Sequence, residues 1–244
     1  MNRQSNQFDS SAWVPREPLP RVLRIGHRGA AGHAPENTLA AIRAGIALGV
    51  DFVEVDIRGT ADSVLVALHD ETVERTCNGR GRVDRLSLPD LRMLDAGNGE
   101  RIPTIEEVLK ETSGKTGVIL ELKVAGVGQQ AVELTRRTGF RGDVIYASFL
   151  HHELRHVRSV EPAASLLVLF GQLPHDPVGR AMEYEPSHVG LRHDTATRRL
   201  VEAFHRRHLL VFVYTANNPR DMRRVLSLGI DGVISNFPER IMSR

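Results

Sequence analysis

"VLRIGHRGAAGHAPENTLAAIRAGIALGVDFVEVDIR" occupies residues 22–58. A short apolar run at 22–26 gives way to a glycine- and alanine-rich break around His27 and Arg28. A helical pattern follows over 37–48, then a second apolar-rich run at 52–57. The two runs read as strands and the periodic stretch between them as a helix.

The same alternation continues downstream. Strands are expected at 64–68, 118–123, 144–148, 166–170, 188–191, 209–215 and 232–234. Helices are expected at 89–94, 105–111, 127–138, 152–159, 177–182, 195–207 and 219–227. Strands separated by helices predict a parallel sheet with crossover helices. About eight such units favour a closed TIM (β/α)8 barrel. The run at 64–68 follows 52–57 with no room for a helix, so it is an extra strand. No linker composition interrupts residues 22–244, which read as one domain behind a partly ordered lead-in at 1–21.

Composition fits this class. The 244 residues are 41% apolar and 25% charged, an ordinary globular balance. Net charge is +2, from 32 basic and 30 acidic residues, and the pI is near 9.0. Without a basic stripe, nucleic acid is not an expected partner. Cys77 is the one cysteine, so no intrachain disulfide forms. The first twenty residues lack an apolar core of the kind a secretory signal needs, and the apolar runs are too short to span a bilayer. A cytoplasmic setting is expected; the sequence assigns no oligomeric state.

Strand parity locates the charges. In "FVEVDIR", Glu54 and Asp56 share one face, with Val53, Val55 and Ile57 on the other. In "VILELKV", Glu121 and Lys123 share a face. Strands of a helix-covered parallel sheet are normally apolar on both faces. Three converging carboxylates need a hard divalent cation, Mg²⁺ or Ca²⁺, or else internal ion pairs with Arg58 and Lys123. The pattern alone supports both readings. His27 and His69 each end a strand, where barrel enzymes place their chemistry, and two imidazoles can divide base and acid work. Arg28 offers a donor fork suited to phosphate, and the helix start at 35–38 offers backbone N–H groups. His151, His152, His156, His205 and His208 read as surface or packing residues. His33, His175, His188 and His193 receive no role.

With these motifs assembled, the chain resembles the glycerophosphodiester phosphodiesterase family. The matching stretches are "GHRGAAGHAPENTLAAIRAGIALGVDFVEVDIRGT", "VALHDETVERTCNGRGRV", "RIPTIEEVL", "LELK" and "VYTANNPRDMRRVLSLGIDGVISNFP". The resemblance implies a TIM barrel that hydrolyses small-molecule glycerophosphodiesters to sn-glycerol 3-phosphate and an alcohol. It implies His27 and His69 as the acid–base pair, and Glu54, Asp56 and Glu121 as ligands of a divalent metal. It implies Arg28 and Lys123 as phosphate contacts, and a compact insertion after the second strand, here 64–94. We assign His27 as base and His69 as acid, an order that could reverse. The nucleophile is water or the glycerol 2-hydroxyl, the family favouring the latter. Three departures stand out. The family's Thr-Lys-Asp-Gly turn is "TADS" at 60–63. Its Trp-Thr-x-Asn is Tyr214-Thr215-Ala216-Asn217, leaving Tyr214 as an aromatic wall of the substrate pocket. Its terminal Asp is Asn236, with no role evident at this level. Two alternatives remain: a lysophospholipase D, and a non-catalytic barrel that binds phosphorylated ligands.

Overall fold

A computed structural model describes residues 21–241. Apart from Arg21, the lead-in expected at 1–21 lies outside the described residues. Strand and helix alternate in the order β1 (Leu23–Gly26), α1 (Leu39–Ala47), β2 (Phe52–Gly59), β3 (Leu65–Ala67), α2 (Leu88–Arg92), α3 (Ile105–Thr112) and β4 (Gly117–Leu122). Then come α4 (Val127–Thr138), β5 (Val144–Ser148), α5 (His151–Val160), β6 (Ser165–Phe170) and α6 (Pro177–Met182). The chain finishes with β7 (His188–Arg192), α7 (Arg198–His205), β8 (Leu210–Tyr214), α8 (Pro219–Leu226) and β9 (Gly232–Ser235). After β9 the chain makes a 3₁₀ turn, Pro238–Arg240.

β1 pairs in parallel with both β2 and β9, Ile25 lying opposite Phe52 and Ile234. That double pairing closes the sheet. Of its nine strands, β3 pairs antiparallel with β2 and stands outside the ring. The remaining eight are parallel to their neighbours, in sequence order, and form the expected (β/α)8 barrel.

Side-chain alternation builds two apolar layers. Val53, Val55 and Ile57 point outward and pack with Ile42, Val108 and Val118 under the helices. Ile25, Phe52, Ile119 and Phe212 fill the barrel interior. Each fully buried aliphatic contributes about 2 kcal/mol by leaving water. The inward positions of β2 and β4 turn from Phe52 and Ile119 to Glu54, Asp56 and Glu121 as the strands run toward their C-terminal ends. One end of the interior is therefore oily and the other charged.

Helix ends follow local chemistry. Thr104 and Glu107 form a reciprocal capping box at α3. The N-cap of α4 is Gly126, at φ 85°, which has no side chain to cap the helix. Its cap comes from α5, where the fully buried Glu153 accepts from Gly126 N at 2.9 Å and Gly128 N at 3.0 Å.

The insertion, β3 and the chain that follows it up to α3, has a small core of its own, including Val66, Val73, Val83, Leu91 and Ile102. It runs past the expected end at 94 as far as a bridge between Val66 and Thr104. Among the described residues, no helix is long and apolar enough to cross a membrane.

Candidate active site

β1 ends in a turn that folds back on itself. A Cβ on Gly26 would lie 1.8 Å from Gly29 O, and one on Gly29, at φ +89°, would lie 2.5 Å from Ala41 C. With no side chains there, Arg28 N reaches Glu54 Oε2 at 2.8 Å and Gly29 N reaches the Glu54 carbonyl at 3.0 Å. Arg28 sits at φ 50°, a left-handed conformation that costs a bulky residue on the order of 1 kcal/mol or more. Such strain persists where surrounding contacts enforce it, typically at functional sites.

Each polar residue of the following Pro-Glu-Asn-Thr cluster has a separate job. Glu36 Oε1 accepts from Arg28 Nη1 at 2.5 Å. Asn37, buried and at φ 57°, donates to Asp56 Oδ2 at 2.8 Å and accepts from Asp56 N at 3.1 Å. Thr38 caps α1 by accepting from Ala41 N. Ala40 N is taken by Glu100 Oε2. The backbone donors of the helix start are thus partly spent within the fold, against their expected use for phosphate.

Asp56 and Glu121 face each other across β2 and β4, with Glu54 two residues earlier. One oxygen from each lies within 4.8 Å of the others. Glu54 and Asp56 are buried and Glu121 nearly so. Burial, then Asp56 and Glu121, push the Glu54 carboxyl well above its ordinary range. Burial and Asp56 push Glu121 up to about 7, with Lys123 pulling the other way.

Ion pairing offsets part of this repulsion. Lys123 Nζ lies 2.5 Å from Glu121 and 3.5 Å from Asp56, and Arg28 Nε 3.3 Å from Asp56. Arg58, the other expected partner, instead donates its Nε to the His69 carbonyl at 2.9 Å. Glu54 Oε1 is buried with no hydrogen-bond partner among the described residues. An orphaned carboxylate oxygen beside two more acids fits a hard cation.

The two histidines differ in their partners. His27 Nδ1–H donates to Asn236 Oδ1 at 2.6 Å, because an amide oxygen can only accept. Burial, then Arg28, lower this ring to about 4. His69 Nδ1–H donates to Asp70 Oδ1 at 2.6 Å. Asp70 is held to about 2 by its hydrogen bond from Arg75, and then by His69. His69 is also lowered, chiefly by burial, with Asp56 and Asp70 opposing. In both rings Nδ1 is committed, leaving Nε2 for chemistry.

His27, Arg28, Glu54, His69, Glu121 and Lys123 form one side of a cavity of ≈ 190 Å³. Asp56 lies behind them. Leu167, Leu169, Phe149 and Tyr214 line the other side. Tyr214 is the expected aromatic wall, packed edge-on to Phe149 at 5.7 Å and donating its hydroxyl to Phe170 O at 2.6 Å. All eight residues singled out from the sequence thus meet at one end of the barrel. Glu36, Asn37, Arg75, Phe149 and Asn236 join them without having been assigned a role there.

Residues 27–240 match the family model described as the glycerophosphoryl diester phosphodiesterase family. The chain belongs to this family. It is 32% identical over 236 residues to a glycerophosphodiester phosphodiesterase of Caldanaerobacter subterraneus subsp. tengcongensis, covering 91% of this chain and 97% of that one. Among solved structures, it resembles a phosphodiesterase of Oleispira antarctica in complex with the product sn-glycerol-3-phosphate. The TM-score is 0.84 at 26% identity, over 91% of this chain and 95% of the other. A glycerophosphodiester phosphodiesterase of Agrobacterium tumefaciens gives 0.80 at 28%, over 90% and 99%.

Proposed function

We propose that this glycerophosphodiester phosphodiesterase releases sn-glycerol 3-phosphate and an alcohol in a divalent-metal-dependent reaction, with His27 as base and His69 as acid. The observation carrying the proposal is the joint placement of two Nδ1-anchored imidazoles and three crowded carboxylates around one small cavity. The Oleispira antarctica relative bound to sn-glycerol-3-phosphate supports the product assignment.

Glu54, Asp56 and Glu121 would hold Mg²⁺ or Ca²⁺. When bound, the cation supplies Lewis-acid polarisation of a phosphoryl oxygen and screens the three acids from one another. Arg28 and Lys123 bind and orient the phosphodiester through charge-assisted hydrogen bonds. His27, uncharged at neutral pH, takes the nucleophile's proton on Nε2. The nucleophile is water, or the glycerol 2-hydroxyl attacking first to expel the alcohol and give a cyclic phosphate that water then opens to sn-glycerol 3-phosphate. His69, with Asp70 stabilising its charged ring, gives a proton from Nε2 to the departing alkoxide. Tyr214 and Phe149 wall the cavity.

A cavity of ≈ 190 Å³ suits a glycerophosphodiester head group better than a lysophospholipid carrying an acyl chain. Hydrolysis of glycerophosphocholine should therefore exceed that of lysophosphatidylcholine. His27→Ala and His69→Ala should each lower kcat by about 100-fold or more, with circular dichroism unchanged. A near-wild-type rate for either folded variant removes that ring from the mechanism. Exhaustive chelation should abolish turnover, and Mg²⁺ or Ca²⁺ should restore it and raise the Tm. Full activity after chelation refutes the metal assignment.

A further inference from the structure

A chain of charged contacts runs around the cavity mouth outside the reacting groups. Arg75 Nη1 and Nη2 grip both oxygens of Glu36 at 2.9 and 2.7 Å. Its Nε donates to Asp70 Oδ2 at 2.5 Å. Glu36 in turn holds Arg28 at 2.5 Å, and Asp70 holds His69 at 2.6 Å. Arg75 is carried by the insertion, two residues after the fully buried Val73. Glu36 belongs to the loop after β1. One guanidinium therefore ties the phosphate-facing Arg28 to the His69–Asp70 pair across two separate loops.

The Arg75 side chain is 47% exposed, so its ion pairs add little to stability. It does not line the cavity. What a planar fork with three satisfied donors supplies is angle and distance. Without Arg75, Asp70 keeps its bond to His69 but loses the donor fixing its second oxygen, and the imidazole is free to swing with it.

We infer that Arg75 is a positioning residue that aims the His69 acid at the leaving oxygen and holds Arg28 in register with it. The inference rests on the reading of His69 as the acid. It requires a loss that depends on how much the leaving group needs a proton. A choline alkoxide needs one; a p-nitrophenolate departs without it.

The test compares glycerophosphocholine with the p-nitrophenyl diester of glycerol 3-phosphate, in the metal-supplied enzyme. Arg75→Gln should lower kcat about tenfold on the choline ester and change it less than about twofold on the p-nitrophenyl ester. KM should rise alike on both, because Arg28 meets the same phosphate. Arg75→Lys, which keeps the charge but cannot form the fork, should fall between Arg75→Gln and wild type on the choline ester. It also serves as the readout if Arg75→Gln fails to fold. Equal kcat loss on both esters, or none on either, overturns the proposal and leaves Arg75 a tether of the insertion. His69→Ala is measured alongside. A loss confined to the choline ester upholds the acid assignment whatever Arg75 does; an equal loss overturns that assignment and this proposal with it.

Discussion

At His27 the supporting acceptor is an amide, and at His69 it is a carboxylate. A neutral acceptor fixes the tautomer and favours the charged ring less than an anion would, so burial, then Arg28, outweigh it and keep His27 uncharged, as the proposed base must be. Asn236→Asp would put an anion against Nδ1 and favour the imidazolium. The acid limb of kcat/KM should then move up by about one pH unit, toward neutrality. Matched pH–rate profiles of the wild type and variant check this, and an unmoved acid limb refutes His27 as the base. The departure at Asn236 had no meaning in the sequence because its partner lies 209 residues away. His27, Glu54, Asp56, His69 and Glu121 were legible because strand parity and strand ends announce them locally. Their supports Asn37, Arg75 and Asn236 arrive on loops, where no periodicity points to a partner.

Elements were legible in kind and nearly so in extent, and the misses have local causes. α1 begins at Leu39 rather than at 37 because Asn37 adopts a left-handed conformation to reach Asp56, while Thr38 serves as the cap. α7 begins at Arg198 rather than at 195 because Thr197 caps it, accepting from Leu200 N. α4 was placed to the residue, yet its cap could not be read. Glu153 looks like a solvent-facing helical acid in sequence but is fully buried against the N-terminus of α4. There a carboxylate meets two unpaired N–H groups and the positive end of the helix dipole. Glu153→Ala should cost about 2 kcal/mol of stability, and Glu153→Gln less, since the amide keeps one acceptor. Urea denaturation reads the loss. With kcat expected unchanged, a stability within a few tenths of a kcal/mol of wild type would show the cap to be idle.

For the whole molecule, the closed ring was legible from the count of strand–helix units and its inward charges from strand parity, but the imidazole buried at the start of β7 was not. His188, unassigned in the sequence, is fully buried at the start of β7 with its ring 4.9 Å from Phe212 and Nδ1 2.7 Å from Ser187 Oγ. Burial lowers it to about 3, from an ordinary 6.5. Below 6.5 the unfolded chain takes up a proton there that the folded chain refuses until about pH 3, so stability falls steadily across that window. At pH 5 the loss from this one ring is about 2 kcal/mol. His27 acts in the same direction between 6.5 and about 4. In the metal-free protein Glu54 and Glu121 oppose it. Their folded values are raised, so the folded state gains protons first as pH falls, and the repulsion among the acids is relieved. In the wild type these groups therefore oppose one another as pH changes, and a comparison is needed to isolate His188. His188→Asn cannot titrate. Whatever it costs in packing, its stability relative to wild type should improve by about 2 kcal/mol on going from pH 7.5 to pH 5. Urea titrations of both proteins at the two pH values, in excess chelator, measure that difference directly. Parallel stability curves would mean that the folded barrel admits a proton at His188 as readily as the unfolded chain does.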